Sequence, residues 1–364
     1  MKKILMLARD AAPSRAFERF ATGLRSEAFE VVDILGGGKP ISVADDAILN
    51  EVDHAGLVLI GMSSNAELAR EELLAAAAAN ATGIPWGAYG DVPGCFARTA
   101  FWPAGLADNA RFYLGFDEQD ASLAKEKFPG ATTFATGNPL REDMAFPKFT
   151  RAEVRGRLGA SDEKLILLGG GKSVLSNMSR LSAVLEHVAR ISGDLKFMVV
   201  LSLHPGDRAP YAVDSVGGKG LGIYDEVMRE SPVPLVIMGL AQGDLSTSEM
   251  IPGMDVVIAG LTGSTTVEAA FNRIPAICLG GEVELRKLQK ETGSRNPEPV
   301  AKGVAAFCGA TEDLGLKILT CVGGDGNPFR SAQEREFPIP VKGGAVSMAV
   351  EALNAVFAGI PAEI

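Results

Sequence analysis

Three consecutive hydroxyl residues, Ser264, Thr265 and Thr266, follow a glycine, Gly263, and the carboxylate of Glu268 stands two positions further on. Residues of these types at this spacing suit a phosphate ester. A glycine turn lets backbone approach a ligand closely, and the first turn of a helix leaves N–H groups without intrahelical partners. That end of a helix carries partial positive charge, which favours an anion. The hydroxyls can cap the helix or donate to phosphate oxygens. A carboxylate on the first turn can accept from the two hydroxyls of a ribose. A plainer reading competes with this one, in which Gly263 and Ser264 cap a helix and Glu268 complements its dipole.

The flanking residues form the elements that would position this group. Val256-Val257-Ile258-Ala259 reads as a strand and Gly260-Leu261-Thr262-Gly263 as a turn. Val267 to Asn272 reads as a helix closed by Arg273-Ile274-Pro275, and Ala276-Ile277-Cys278-Leu279 as the next strand. The whole stretch, Gly-Ser-Thr-Thr-Val-Glu-Ala-Ala followed by Pro-Ala-Ile, resembles the donor-binding segment of GT-B glycosyltransferases and their nucleotide-sugar 2-epimerase relatives. The lipid-A-disaccharide-synthase-like and murein GlcNAc-transferase-like branches are the ones it resembles. The resemblance implies an α/β chain of two Rossmann-like parallel-sheet domains facing across a cleft. Residues 1–140 would form the acceptor domain and 141–342 the nucleotide-sugar donor domain, with a terminal helix in 343–364 packing back on the first. It further implies that Gly263, Ser264 and Thr265 hold a diphosphate and Glu268 a ribose; Thr266 joins them for its hydroxyl.

Other loops of the second half carry weaker signals. After the strand Leu165–Leu168 comes Gly169-Gly170-Gly171-Lys172-Ser173. A P-loop would need a glycine at position 166, where Ile166 stands, so a Walker-type NTPase is rejected. Gly171, Lys172 and Ser173 still offer backbone amides, a positive charge and a hydroxyl to an anion. His204 ends the strand Phe197–Leu201 in Ser-Leu-His-Pro-Gly and is expected at the ligand end of the sheet. No partner His or Cys stands at metal-ligand spacing from it. Tyr211 to Gly222 reads as a glycine-rich loop. Gly239 and Leu240 follow the strand Pro234–Met238, and in the resembling proteins that turn presents backbone groups to the base.

In the first half, strands Ile4–Ala8, Val31–Leu35, Leu57–Met62, Pro85–Tyr89 and Arg111–Gly115 alternate with helical patterns, among them an Ala-rich helix capped at Ser63-Ser64-Asn65 and running to Asn80. Such alternation predicts a parallel sheet covered on both faces. Ligands then bind outside the carboxyl ends of the strands, which makes Asp10, Ser64, Asn65 and Asp91 candidates. Asp91, directly after a strand in a Gly/Pro-rich loop, is the preferred general base and Asp10 the second acidic candidate. The competing role for Asp91 is that of a turn residue. Gly137-Asn138-Pro139 resembles the close of the first GT-B domain, and shaping that junction is its expected role.

With 364 residues, two domains are expected. The formal net charge of −10 argues against a general nucleic-acid binder. Cys95, Cys278, Cys308 and Cys321 show no CxxC spacing and read as reduced thiols, which suits a cytoplasmic protein. No apolar run approaches the ~20 residues of a membrane span, although peripheral contact at the inner membrane face stays open. The expected activity is metal-independent transfer of a sugar from a nucleotide-diphosphate sugar, UDP-linked for preference, to an acceptor hydroxyl, with no cofactor. The acceptor is a sugar, a lipid-linked sugar or a small metabolite, and a homodimer remains open. The alternatives are a nucleotide-sugar 2-epimerase or hydrolase on the same fold, or a non-catalytic nucleotide-sugar-binding protein.

Overall fold

The computed structural model describes residues 2–171, 173–204, 224–239, 243–261, 264–309, 312–323 and 326–359. The chain divides into two compact units. One comprises Met1–Asp143 with Lys290–Gly293 and Pro340–Ile364, the other Met144–Gln289 with Ser294–Ile339.

The first unit holds strands β1 (Lys3–Ala8), β2 (Glu30–Leu35), β3 (Leu57–Gly61), β4 (Trp86–Tyr89), β5 (Phe112–Gly115) and β6 (Thr132–Ala135). They pair in parallel in the order β2-β1-β3-β4-β5-β6. Successive side chains on a strand point to opposite faces, and both faces of β1, β3, β4 and β5 are buried, so β1 and β3 read as near-continuous apolar runs, whereas the edge strands β2 and β6 are partly exposed. Ile4, Met6 and Ala8 pack with Phe17 and Phe20 of the Ala11–Ser26 helix. Leu5, Leu7, Val58 and Ile60 pack on the other face with Ala75, Ala76 and Ala79 of the Arg70–Thr82 helix. Each fully buried Leu or Ile contributes about 1.5–3 kcal/mol. The Gly344–Ala358 helix adds Ala349, Val350 and Leu353 to the first of these cores. Gly23 makes room for it, since a Cβ there would sit 2.6 Å from Val346 Cγ1.

The second unit repeats the plan with β7 (Lys164–Gly169), β8 (Phe197–Ser202), β9 (Leu235–Met238), β10 (Val256–Ala259), β11 (Ala276–Leu279) and β12 (Ala306–Cys308), in the order β12-β11-β10-β7-β8-β9. All pairings are again parallel. In each sheet the strand order reverses once, between β1 and β3 and between β7 and β10. Loops leaving the two strands at such a point diverge to opposite faces and open a crevice at the carboxyl ends. The loops after β1, β3, β7 and β10 are therefore the places the fold reserves for ligands.

One helix start differs from the sequence-based expectation. The helix expected from Ser64-Asn65 begins at Arg70, because Asn65 Oδ1 accepts from the Leu68 N–H and closes a turn first. The helix that follows the glycine loop of β7 begins at Val174, where the Ser173 side chain caps it. The glycine-rich segment Tyr211–Gly222 lies outside the described residues.

Candidate functional site

At the reversal point of the second unit, three segments come together. Gly169, ending β7, lies against the head of the Thr265–Phe271 helix, since a Cβ there would be 3.4 Å from Thr265 Oγ1 and Cγ2. The Gly170 N–H donates to the Ser202 carbonyl at 2.8 Å, and a Cβ at Gly170 would meet that oxygen at 2.6 Å. Only glycine threads this passage. The His204 backbone nitrogen lies 3.4 Å from the same Cβ position, which places this histidine beside the glycine loop.

Ser264 is exposed at the start of the helix, and its side chain makes no capping hydrogen bond. Thr265 is partly exposed and faces Gly169. Thr266 differs from the expectation. It is 1% exposed, and its hydroxyl lies near the buried Cys278 thiol of β11. Two residues on from Ser264 is about 200° round a helix, so its side chain turns to the sheet.

Glu268 is buried, and the Ser248 hydroxyl donates to its Oε2 at 2.9 Å. Its Oε1 has no hydrogen-bond partner among the described residues. Burial lifts the Glu268 pKa from 4.5 to about 7, against the opposing effect of the Ser248 hydrogen bond. Arg180 completes the region. A Cβ at Gly260, immediately after β10, would sit 2.9 Å from Arg180 Nη1, and the guanidinium pairs loosely with Glu284 at 3.7 Å. A cation thus lies against Gly260, the first residue after β10.

Three further candidates are occupied within the unit. The Gly171 N–H donates to Asn177 Oδ1 at 2.7 Å, and the Gly171 carbonyl accepts from Asn177 Nδ2 at 2.9 Å. The expected free amide of Gly171 is therefore corrected to a loop anchor. The Ser173 hydroxyl accepts from the Ser176 N–H at 3.4 Å. Gly239 sits at φ +98°, where glycine is favoured, and its N–H donates to Asp244 Oδ2 at 2.9 Å. Its amide is likewise already used. Lys172, Leu240 and Gly263 lie outside the described residues.

The reversal point of the first unit is acidic, with Asp10 half-buried and Ser63 and Glu72 buried beneath it. The Ser64 N–H donates to Asp10 Oδ2 at 2.9 Å, and the Asp10 N–H donates to Ser63 Oγ at 3.2 Å. Beneath them, Glu72 accepts from the Arg9 N–H, the Ser63 N–H and the Ser63 hydroxyl at 3.0, 3.0 and 2.6 Å. It ties the loops after β1 and β3 together. Burial lifts Glu72 to about 7, and its three donors pull the other way.

Asp91 is 5% exposed. Its Oδ1 lies 3.5 Å from Arg98 Nη1 and accepts a long hydrogen bond from the Cys95 thiol. Burial raises the Asp91 pKa and outweighs the lowering by Arg98 and Cys95. Arg98 also donates to the Met62 carbonyl, so it bridges the loops after β3 and β4. Asn138 Nδ2 donates to the Asp91 backbone carbonyl at 2.7 Å. The Gly-Asn-Pro motif thus fixes the loop that carries Asp91.

Sequence reasoning passed over Glu72, Arg98, Asn177, Arg180 and Ser248. Only Asn177 and Arg180 carried a usable signal, since residues three apart on a helix share a face, here one beginning just after the glycine loop. Among the described residues, no three His, Cys, Asp or Glu side chains group to hold a metal ion, and no helix is long and apolar enough to cross a membrane. All four cysteines are free and buried.

No protein-family model matches this chain, and no curated protein matches its sequence. Solved structures match over nearly the whole length. The S. aureus MnaA–UDP co-structure aligns with a TM-score of 0.63 at 12% identity, covering 100% of this chain and 99% of that one. The UDP-GlcNAc 2-epimerase from Methanocaldococcus jannaschii aligns at 0.56 and 15% identity, covering 93% and 99%. The glycosyltransferase SnogD from Streptomyces nogalater aligns at 0.54 and 14% identity, covering 98% and 100%. At these identities the likeness is one of fold. It agrees with the expected GT-B architecture of two Rossmann-like α/β domains.

Proposed function

We propose that this chain is a glycosyltransferase that takes a sugar from a nucleotide-diphosphate sugar, UDP-linked in the first instance, and delivers it to an acceptor hydroxyl. The observation that carries the proposal is the second reversal point. There a helix starts at Thr265 with no side-chain cap, Arg180 lies against Gly260 after β10, and the buried Glu268 is held by Ser248, which supports a reading in which the first two take a diphosphate and the third a ribose. UDP is the ligand named with the S. aureus neighbour.

In this reading the diphosphate lies against the amides of the first helical turn, and Glu268 Oε1 accepts from the ribose. The acceptor oxygen attacks the anomeric carbon, and its proton passes to Asp91. The bond from that carbon to the β-phosphate oxygen breaks, and its electron pair leaves with the nucleoside diphosphate. Preorganised N–H donors and the Arg180 charge stabilise the leaving group, with Lys172 in the same role. The raised proton affinity of Asp91 suits a base working near neutral pH.

A second reading, nucleotide-sugar 2-epimerisation, is favoured by the likeness to the M. jannaschii 2-epimerase and by the buried acids around Asp91. Incubation with UDP-GlcNAc alone, followed by proton NMR, separates the two. A 2-epimer formed without acceptor supports epimerisation, and UDP release only on addition of an acceptor supports transfer. A thermal-shift screen across UDP, GDP, CDP and dTDP sugars tests the nucleotide preference. A ligand at about 100 times its Kd adds about 2.7 kcal/mol.

A further inference from the structure

A depression of about 230 Å³ lies at the amino ends of the second sheet's strands, the edge opposite the donor loops. Lys164 opens β7 there, Asp255 directly precedes β10 and Pro275 directly precedes β11. Arg151, Arg273, Cys321 and Asn327 also line it.

The charges in this depression do not balance. Asp255 is fully engaged: its Oδ1 accepts from Arg151 at 2.8 Å, and its Oδ2 from Arg155 at 3.3 Å and from the Leu165 N–H at 2.8 Å. Among the described residues, Lys164 and Arg273 form no ion pair, and Lys164 Nζ makes no hydrogen bond. The carboxylate that acts on Arg273, Glu334, is itself paired with Arg330 at 3.0 Å. Burial, with Arg330 adding to it, holds the Arg273 guanidinium below its usual pKa. This local excess of positive charge stands in a chain of formal net charge −10.

The backbone adds an independent observation. Arg273 closes the Thr265–Phe271 helix at φ +59°, with its own N–H donating to the Ala270 carbonyl and the Ile274 N–H to the Ala269 carbonyl. Glycine is the usual occupant of that left-handed position, because a β-carbon there is disfavoured. A side chain kept in such a conformation points to a use for it. Capping the helix accounts for Nη1, which donates to the Ala270 and Gln333 carbonyls at 2.8 and 3.1 Å. It accounts for neither Nε and Nη2 of Arg273 nor for Lys164. Asn327 Nδ2, donating to the Arg273 carbonyl at 2.8 Å, holds this corner in place.

We propose that this depression binds a small oxyanion of the phosphate class, with Lys164 and Arg273 as its principal partners and Arg151 at the rim. Its volume is below the ~300–1,000 Å³ of drug-sized pockets. It therefore suits inorganic phosphate, pyrophosphate or a small phosphate monoester rather than a whole nucleotide.

The test is a calorimetric titration of the full chain with sodium phosphate, sodium pyrophosphate and glycerol phosphate, with ionic strength held constant by chloride. Arg273→Gly is the chief variant, since glycine relieves the left-handed position and keeps the fold. Lys164→Gln is the second, and Ser264→Ala/Thr265→Ala controls for phosphate taken up at the helix start. The proposal expects binding of at least one of the three probes, weakened about tenfold or more by either Arg273→Gly or Lys164→Gln and retained in the control. Binding of the inorganic ions alone marks a free-ion site, and binding of glycerol phosphate as well marks a monoester site. No binding by any probe, or binding that survives Arg273→Gly and disappears in the control, overturns it.

Discussion

The Ser248 hydroxyl holds Glu268 through Oε2 at 2.9 Å and leaves Oε1 without a partner among the described residues. A carboxylate fixed by one oxygen and open at the other is already oriented for a ligand, so less side-chain entropy is lost when one binds. The burial that orients it also penalises its charge.

That penalty sets a pH dependence. Glu268 has a folded pKa of about 7, above the ordinary 4.5. A carboxyl raised in this way contributes stability below pH 4.5 and loses it as pH rises through about 7. Glu268→Gln keeps an acceptor for Ser248 and removes the charge. The variant should match wild type near pH 4.5 and exceed it above pH 7, by on the order of 1–3 kcal/mol, in urea unfolding at a series of pH values. Equal stability at pH 8 would show that Glu268 is not penalised by burial.

The same residue should govern nucleotide binding. Glu268→Ala is expected to weaken UDP binding about 10- to 100-fold, the worth of one or two hydrogen bonds to a charged group, and Ser248→Ala by less. Isothermal titration measures both. Unchanged affinity in Glu268→Ala removes this carboxylate from the ribose.

Asp91 should act on rate rather than donor affinity. Asp91→Asn is expected to lower kcat about 10²- to 10⁴-fold with the donor KM nearly unchanged. Asn138→Ala, which frees the backbone carbonyl of Asp91, should lower kcat by a smaller factor. Steady-state kinetics with the acceptor found by screening reports both. A loss confined to KM would make Asp91 a binding group.

The glycine loop after β7 offers a purely steric test. A Cβ at Gly170 meets the Ser202 carbonyl at 2.6 Å, whereas one at Gly169 meets Thr265 at an ordinary 3.4 Å. Gly170→Ala should cost about 1–3 kcal/mol in thermal or urea unfolding, and Gly169→Ala clearly less.

Much of this was legible in the chain. The apolar runs at Ile4–Ala8, Leu57–Met62 and Val256–Ala259 announced buried parallel strands, and the fold then placed the loops after them at the reversal points. The helix start near Ser264 was legible because a glycine turn followed by hydroxyl residues is a local feature. Thr266 is buried, and which way its hydroxyl turns depends on helix phase relative to β11, which no local pattern shows. Gly171 was misread because its amide is claimed by Asn177 of the following helix. Ser248 stands 20 residues from Glu268, and Glu72 reaches back to Arg9 across 63. Such pairings arise only when distant strands are brought side by side, and no local pattern encodes them.

On the proposed function, a nucleoside diphosphate docks at the head of the Thr265–Phe271 helix. A crystal structure of this protein with UDP measures it most directly. Phosphate oxygens are expected within hydrogen-bond distance of the Ser264–Thr265 segment, and the ribose hydroxyls on Glu268 Oε1. UDP bound elsewhere in the second unit, with that helix start left to solvent, would contradict it.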